Sequence, residues 1–294
     1  MLYVNNLTKL FGENTAVDKI SFHVKKGSVF GLLGSNGAGK TTLIRMINRI
    51  LMPDSGEIRF DGSALKPEHI SRIGYLPEER GLYPKMKVGE QLMFLAQIKG
   101  LSSKQSEENI KYWFEKLSIE DWWHKKTDQL SKGMQQKVQF IATVINEPEL
   151  LILDEPFTGL DPVNTRIIKE EISRLNKKGA SIIFSTHRME QVESICNEIV
   201  IVNHGKLVLE GDLNKLKQEF KKNSYSIELS EYKDIKYPFE IIETNNKPGM
   251  MFRLEKGQSP NQVLEFFIHN GIEVKSFKEV LPSLNDIFIE VVKN

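Results

Sequence analysis

The chain has 294 residues, enough for one large domain or two smaller ones with ample core. Its 40 lysines and arginines stand against 39 aspartates and glutamates, a formal net charge of +1, so no bulk basic field argues for nucleic acid. The single cysteine, Cys196, excludes an internal disulfide, fits a reducing compartment and is expected to fill core.

The first 35 residues read as short strands at 2–4, 20–24 and 28–33, set between glycine turns. The opening MLYVNNLTKLFG lacks the charged-then-apolar pattern of a targeting peptide. GSNGAGKTT (34–42) then matches the P-loop pattern, lying between the apolar run VFGLL and the helical stretch TLIRMINRI. Across Gly34, Ser35, Asn36, Gly37, Ala38 and Gly39, the glycines let backbone N–H groups turn inward around phosphates, and the helix dipole adds positive potential. Lys40 is placed to reach the β- and γ-phosphates, and Thr41, followed by Thr42, to offer its hydroxyl to Mg²⁺.

From about residue 85 the texture turns helical. GEQLMFLAQIKGL carries Leu92, Phe94, Leu95 and Ile98, and SEENIKYWFEKLSI carries Ile110, Trp113, Phe114 and Leu117, all at helical spacing. LSKGMQQKVQFIATVI (130–145) predicts a helix with Met134, Val138, Ile141 and Ile145 facing the core and Ser131 as its N-cap. Gly133 in the first turn costs about 1 kcal/mol relative to alanine. A bare helix start of this kind exposes N–H groups and positive dipole, which suits an anion.

LLILDEP (150–156) has four apolar residues ending at Asp154, the pattern of a buried parallel strand that delivers carboxylates to its carboxyl edge. There Asp154 suits Mg²⁺ coordination through water, and Glu155 can polarise an attacking water. A helical span at 165–176 and the strand SIIFSTH (181–187) follow. Beyond a lysine-rich connection at 215–222, SYSIELS, FEIIET and MFRLEK read as strands, and PNQVLEFFIHNG as a helix. EVKSFKEV adds a strand and PSLNDIFIEVVKN a last helix. The expected organisation is an α/β domain over 1–220 with a helical insertion at about 85–135, then a small α+β domain over 221–294. No apolar run approaches the ~18 residues of a membrane span, so a cytoplasmic protein is expected, with any membrane role supplied by a partner.

Lys40 and Asp154 are 114 positions apart (154 − 40) with helices between them, more than small kinases or GTPases need. The order GSNGAGKTT, LSKGM, LLILDEP, GLDP (159–162) and a strand reaching His187 resembles the ATP-binding cassette of the ABC transporter family over residues 1–215. The resemblance implies a P-loop NTPase fold, ATP and Mg²⁺ as ligands, and ATP hydrolysis with Lys40, Glu155 and His187 as catalytic residues. It also implies a head-to-tail pair with a second copy of the chain. In such a pair Ser131 and Gly133 of one copy meet the γ-phosphate held by the other, and Asp161 links the two sites. Phe11 matches the aromatic that stacks on adenine, a core aromatic being the alternative.

Three positions depart from the family pattern. Lys132 and Met134 replace a glycine and a glutamine of the signature, and Glu78 in YLPEERGLYP (75–84) stands where a Mg²⁺-sensing glutamine is usual. Glu78 is expected to take over that role as a metal ligand. The signature, the PEERGLY segment and the tail SLNDIFIEVV resemble bacterial exporters of sodium ions or drugs. That branch implies an integral membrane permease docked beside residues 75–87 and the helical insertion, holding the chain at the inner face of the membrane. Trp113, Trp122 and Trp123 are expected to fill core instead of forming that face. The competing class, ABC ATPases acting on ribosomes or DNA, carries paired cassettes or a long inserted coiled coil; neither is present, and no nucleic-acid partner is expected.

Overall fold

The computed structural model describes residues 1–79, 81–231, 237–244, 249–255 and 257–293; Arg80, Lys256 and Asn294 of the segments read above lie outside them. The chain divides into two compact units, Met1–Asp212 and Leu213–Asn294. In the first unit the elements are β1 (Leu2–Phe11), β2 (Asn14–Val24), β3 (Val29–Leu33), α1 (Lys40–Ile47), β4 (Ser55–Phe60), β5 (Ser63–Ala64) and β6 (Ile73–Leu76). The helical insertion contributes α2 (Val88–Ile98), α3 (Ser103–Leu117) and α4 (Lys132–Val144). Then come β7 (Leu150–Asp154), α5 (Pro162–Lys177), β8 (Ser181–Ser185), α6 (Met189–Ile195), β9 (Glu198–Asn203) and β10 (Lys206–Asp212).

VFGLL, LLILD and SIIFS are buried at every position, as strands covered on both faces must be. They form the middle of a six-stranded sheet in the order β10-β9-β3-β8-β7-β6, parallel except for the β10 edge. β3, which leads into the P-loop, lies between β8 and β9, so the loop emerges at the carboxyl edge where open α/β sheets hold ligands. A second sheet, β2-β1-β4-β5, is antiparallel and alternates buried with exposed residues. Here β1 and β2 run longer than the short apolar stretches suggest, because register shifts after Val4 and Leu7 carry the pairing past polar residues.

Within the insertion, Ile110, Trp113, Phe114 and Leu117 of α3 pack inward with Leu92 and Ala96 of α2 and Val138, Phe140 and Ile141 of α4. Trp113 meets Phe140 edge-on at 5.8 Å, and Trp123 meets Phe114 at 5.7 Å. Trp113 and Trp122 are buried, so aromatic filling accounts for them. Two residues of the α2 apolar pattern point elsewhere. Phe94 and Ile98 are exposed, because Val88, Gly89, Gln91, Leu92 and Ala96 supply the face that packs.

The second unit contains α7 (Leu213–Glu219), β11 (Ser224–Leu229), β12 (Glu240–Thr244), β13 (Gly249–Arg253), α8 (Pro260–His269), β14 (Val274–Val280) and α9 (Leu284–Lys293). Its sheet is antiparallel in the order β12-β13-β11-β14. Phe239, Phe252 and Phe267 pack at its centre with Ile227, Leu229 and Val263. The lysine-rich stretch is mostly the helix α7, ordered by burial of Leu213 and Leu216, and the compact unit that contains it starts at Leu213.

Candidate functional site

The P-loop joins β3 to α1, whose N-cap is Gly39 at φ 109. A Cβ there would lie 2.5 Å from the carbonyl oxygen of Ala16 on β2, so only glycine lets the loop lie against that strand. Lys40 folds back over the loop, its Nζ donating to the carbonyls of Gly34 at 2.8 Å and Ser35 at 3.0 Å. Burial lowers its pKa, and the charges of Asp154, Glu155 and Glu78 act against that shift.

At the end of β7, Asp154 is buried and its Oδ2 has no hydrogen-bond partner among the described residues. Its carboxyl is pushed up to about 6, first by burial and then by the charges of Glu78 and Glu155, with the Ser185 hydroxyl and Lys40 pulling the other way. Glu155 follows at φ 49, an uncommon conformation for a non-glycine residue. Its Oε2 accepts the Thr186 hydroxyl at 3.0 Å, and its Oε1 accepts the His187 backbone N–H at 2.8 Å. His187 Nδ1 lies 2.6 Å from the same Oε1.

A cavity of about 510 Å³ gathers Asn36 to Thr42 with Glu78, Asp154, Glu155 and His187. Asn14, Thr15 and Ala16 of β2, together with His204 and Gly205 beyond β9, complete its wall. No sequence motif marked those five, since they are small or uncharged residues on hairpins far apart in the chain. Thr186 was visible in the STH string, yet its bond to Glu155 depends on β7 and β8 being neighbours. A cavity that spans phosphate-binding N–H groups and clustered carboxylates is suited to a polyphosphate carrying a cation.

A hard divalent cation takes oxygen ligands and keeps several waters. Thr41, Asp154 and Glu78 all line the cavity, and the orphaned Asp154 oxygen is an unused ligand position. Among the described residues no group of three or more histidines, cysteines, aspartates or glutamates is arranged as a self-sufficient metal site. The residues therefore fit a cation shared between a few protein oxygens and a phosphate.

The remaining expected residues do not line this cavity. Phe11 ends β1 and is 50% exposed, with Lys9 Nζ 5.7 Å from its ring centre, so it is not a core aromatic. Ser131 caps α4, its Oγ accepting the Met134 N–H at 3.3 Å. A Cβ on Gly133 would come within 2.9 Å of the Gly159 carbonyl oxygen, so this glycine is required by a contact inside the chain as well as by any open approach. Asp161 caps α5, accepting the Asn164 N–H at 2.9 Å, and this hydrogen bond holds its carboxyl below the usual carboxylate range. Helix α4 also braces the two acid-bearing loops. Gln139 donates to the carbonyls of Pro77 and Glu79 at 3.1 and 3.3 Å, and Gln136 to that of Pro156 at 3.0 Å.

Comparison with known proteins gives the chain's relatives. Residues 17–158 match the ABC transporter family, and residues 211–292 match the C-terminal domain of DrrA1-3-like ATP-binding proteins. The uncharacterized ABC transporter ATP-binding protein YhaQ of Bacillus subtilis is 42% identical, over 99% of this chain and 98% of that protein. The bacitracin transport ATP-binding protein of Enterococcus faecalis is 31% identical, over 99% of this chain and 96% of that one. A solved ATP-binding subunit of an ABC transporter superposes with a TM-score of 0.71 at 32% identity, covering 75% of this chain and 93% of that structure.

Proposed function

This chain belongs to the ABC transporter ATP-binding proteins, the subunits that hydrolyse ATP, and from that premise we propose that it works as one half of a head-to-tail pair driving a drug-exporting permease. The observation that carries the pairing is a division of labour. The cavity built by one chain contains Lys40, Glu78, Asp154, Glu155 and His187, while Ser131, Gly133 and Asp161 are absent from its lining. A second copy facing the cavity supplies those three, with the start of α4 meeting the γ-phosphate. The E. faecalis relative, named for bacitracin transport, supports drugs as cargo over sodium ions.

In this reading Gly34 to Thr42 hold the phosphates, Lys40 leaves its two loop carbonyls for the β- and γ-oxygens, and Phe11 stacks on the adenine at the rim. Thr41, Asp154 and Glu78 would hold Mg²⁺, which would supply neutralisation of phosphate charge. Glu155 accepts a proton from the attacking water, and His187 exchanges its bond to Glu155 for one to the γ-phosphate. Closure of the pair on ATP and reopening after hydrolysis move the permease docked beside residues 75–87 and the helical insertion. The permease holds the chain at the inner face of the membrane.

The test is a sedimentation measurement on Glu155→Gln, in which slowed hydrolysis preserves the closed pair. ATP should convert this variant from monomer to dimer, and adding Gly133→Trp should abolish the dimer while leaving ATP bound. A dimer that survives the tryptophan would refute the head-to-tail arrangement.

A further inference from the structure

The first unit carries a second large cavity, an apolar groove of about 680 Å³ with Ile50, Ile70, Tyr75, Leu82, Leu95 and Ile98 in its walls. Ile50 and Ile98 are 62% and 64% exposed, so the apolar surface continues outside the groove. Among the described residues lining it, one side chain is charged, and that is Lys99.

Lys99 follows directly on α2, and its Nζ donates to the carbonyls of Ala142 at 2.9 Å and Thr143 at 3.0 Å in the last turn of α4. The residue as a whole is half-buried, but its charged end is turned onto the protein, and burial lowers its pKa to about 8. An ammonium has three N–H donors, and these bonds use two. The negative end of the α4 dipole offsets part of the charge. No carboxylate forms an ion pair with Lys99 among the described residues, whereas Lys111 and Lys116 of α3 each have one. A cation with a third donor that these two bonds do not use therefore lies in a groove whose described lining holds no other charged side chain, an arrangement that favours an anion there.

We propose that Lys99 determines which partner the groove accepts: an amphipathic helix of the membrane permease whose apolar face carries one aspartate or glutamate placed to pair with the ammonium. This rests on the reading above, that residues 75–87 and the helical insertion receive the permease. The apolar walls accept side chains at i, i+3 and i+4 of a docked helix. The carboxylate fixes register and excludes helices with an apolar or basic residue at that position, since those would strand the buried charge.

The probe is the multi-span membrane protein encoded beside this chain, co-expressed with the full-length chain and purified in detergent, with the melting midpoint of each variant recorded alongside. Lys99→Met should weaken retention on the membrane protein about tenfold or more, and Lys99→Arg should stay near wild type. Lys99→Glu should abolish retention, and one Asp→Lys or Glu→Lys change in a cytosolic loop of the membrane protein should restore it. Retention unchanged by Lys99→Met but lost in Ile98→Glu would overturn carboxylate selection and keep the groove as the docking site. Failure of both Arg and charge-reversal rescue would overturn the proposal in favour of a brace between α2 and α4. Retention indifferent to both Lys99→Met and Ile98→Glu would refute docking at the groove itself, and absence of any wild-type retention would refute the permease reading. Binding to phosphatidylglycerol vesicles that needs Lys99 but no membrane protein would assign the groove to a lipid headgroup and overturn the proposal.

Discussion

Glu155 Oε1 and His187 Nδ1 lie 2.6 Å apart, although one residue follows β7 and the other follows β8. The backbone of His187 and the hydroxyl of Thr186 bind the same carboxylate. The acid that ends LLILDE is thus aimed by the neighbouring strand as much as by its own. Its φ of 49 is a conformation held by those three bonds.

Removing the carboxylate charge separates chemistry from binding. Glu155→Gln should lower ATP turnover roughly a hundredfold or more, with ATP affinity little changed because the phosphate-holding loop is intact. Thr186→Val should lower turnover about tenfold by loosening the acid's aim. Steady-state ATPase assays with parallel nucleotide titration check both.

Glu78 brings a third carboxylate to the cavity beside Asp154 and Glu155. Glu78→Ala should reduce ATPase activity by about tenfold or more and raise the Mg²⁺ concentration needed for half-maximal rate. Glu78→Gln should retain more of the rate than alanine. An unchanged rate in the alanine variant would overturn the proposal that Glu78 is a metal ligand.

Asp154 makes its own contribution to the pH dependence of stability. Its pKa rises from 3.8 to about 6 on folding, so the folded chain holds the proton over a range where the unfolded chain has lost it. A raised carboxyl pKa adds stability that is fully present below the unfolded value and disappears as pH climbs through the folded one. Asp154→Asn lacks that loss. In the nucleotide-free protein its advantage over wild type should grow from little near pH 4 to as much as about 3 kcal/mol near pH 8. Urea titrations across this range measure it, and a constant difference would contradict the assignment.

Gly133 tests packing against intrinsic preference. Alanine is favoured over glycine in a helix by about 1 kcal/mol, yet its Cβ would press to 2.9 Å on the Gly159 carbonyl. Gly133→Ala should therefore lower the melting midpoint instead of raising it, and should lower turnover by displacing the loop that ends in Asp161. A calorimetric scan decides the sign.

The residues legible in the sequence are those whose chemistry is local. GSNGAGKTT carries its own strand, turn and helix signals, and LLILD announces a buried strand by lacking any polar alternation. Asn14 to Ala16, His204 and Gly205 were not legible, because they contribute position and backbone and no titratable or metal-binding pattern. Helical spacing at Phe94 and Ile98 does not by itself distinguish a buried stripe from an apolar face left to solvent, and both side chains are exposed. The α7 lysines hid a helix because Leu213 and Leu216 alone mark its packed side.

Helix α4 touches more of the machinery than any single motif does. Ser131 and Gly133 stand at one end, Gln136 and Gln139 grip the loops of Glu155 and Glu78 in its middle, and Lys99 fastens to its final turn. Thirteen residues of α-helix make a stiff rod of about 20 Å. A rod of that length resists bending, so a tilt of α4 imposed at the groove would be carried toward the loops that bear Glu78 and Glu155.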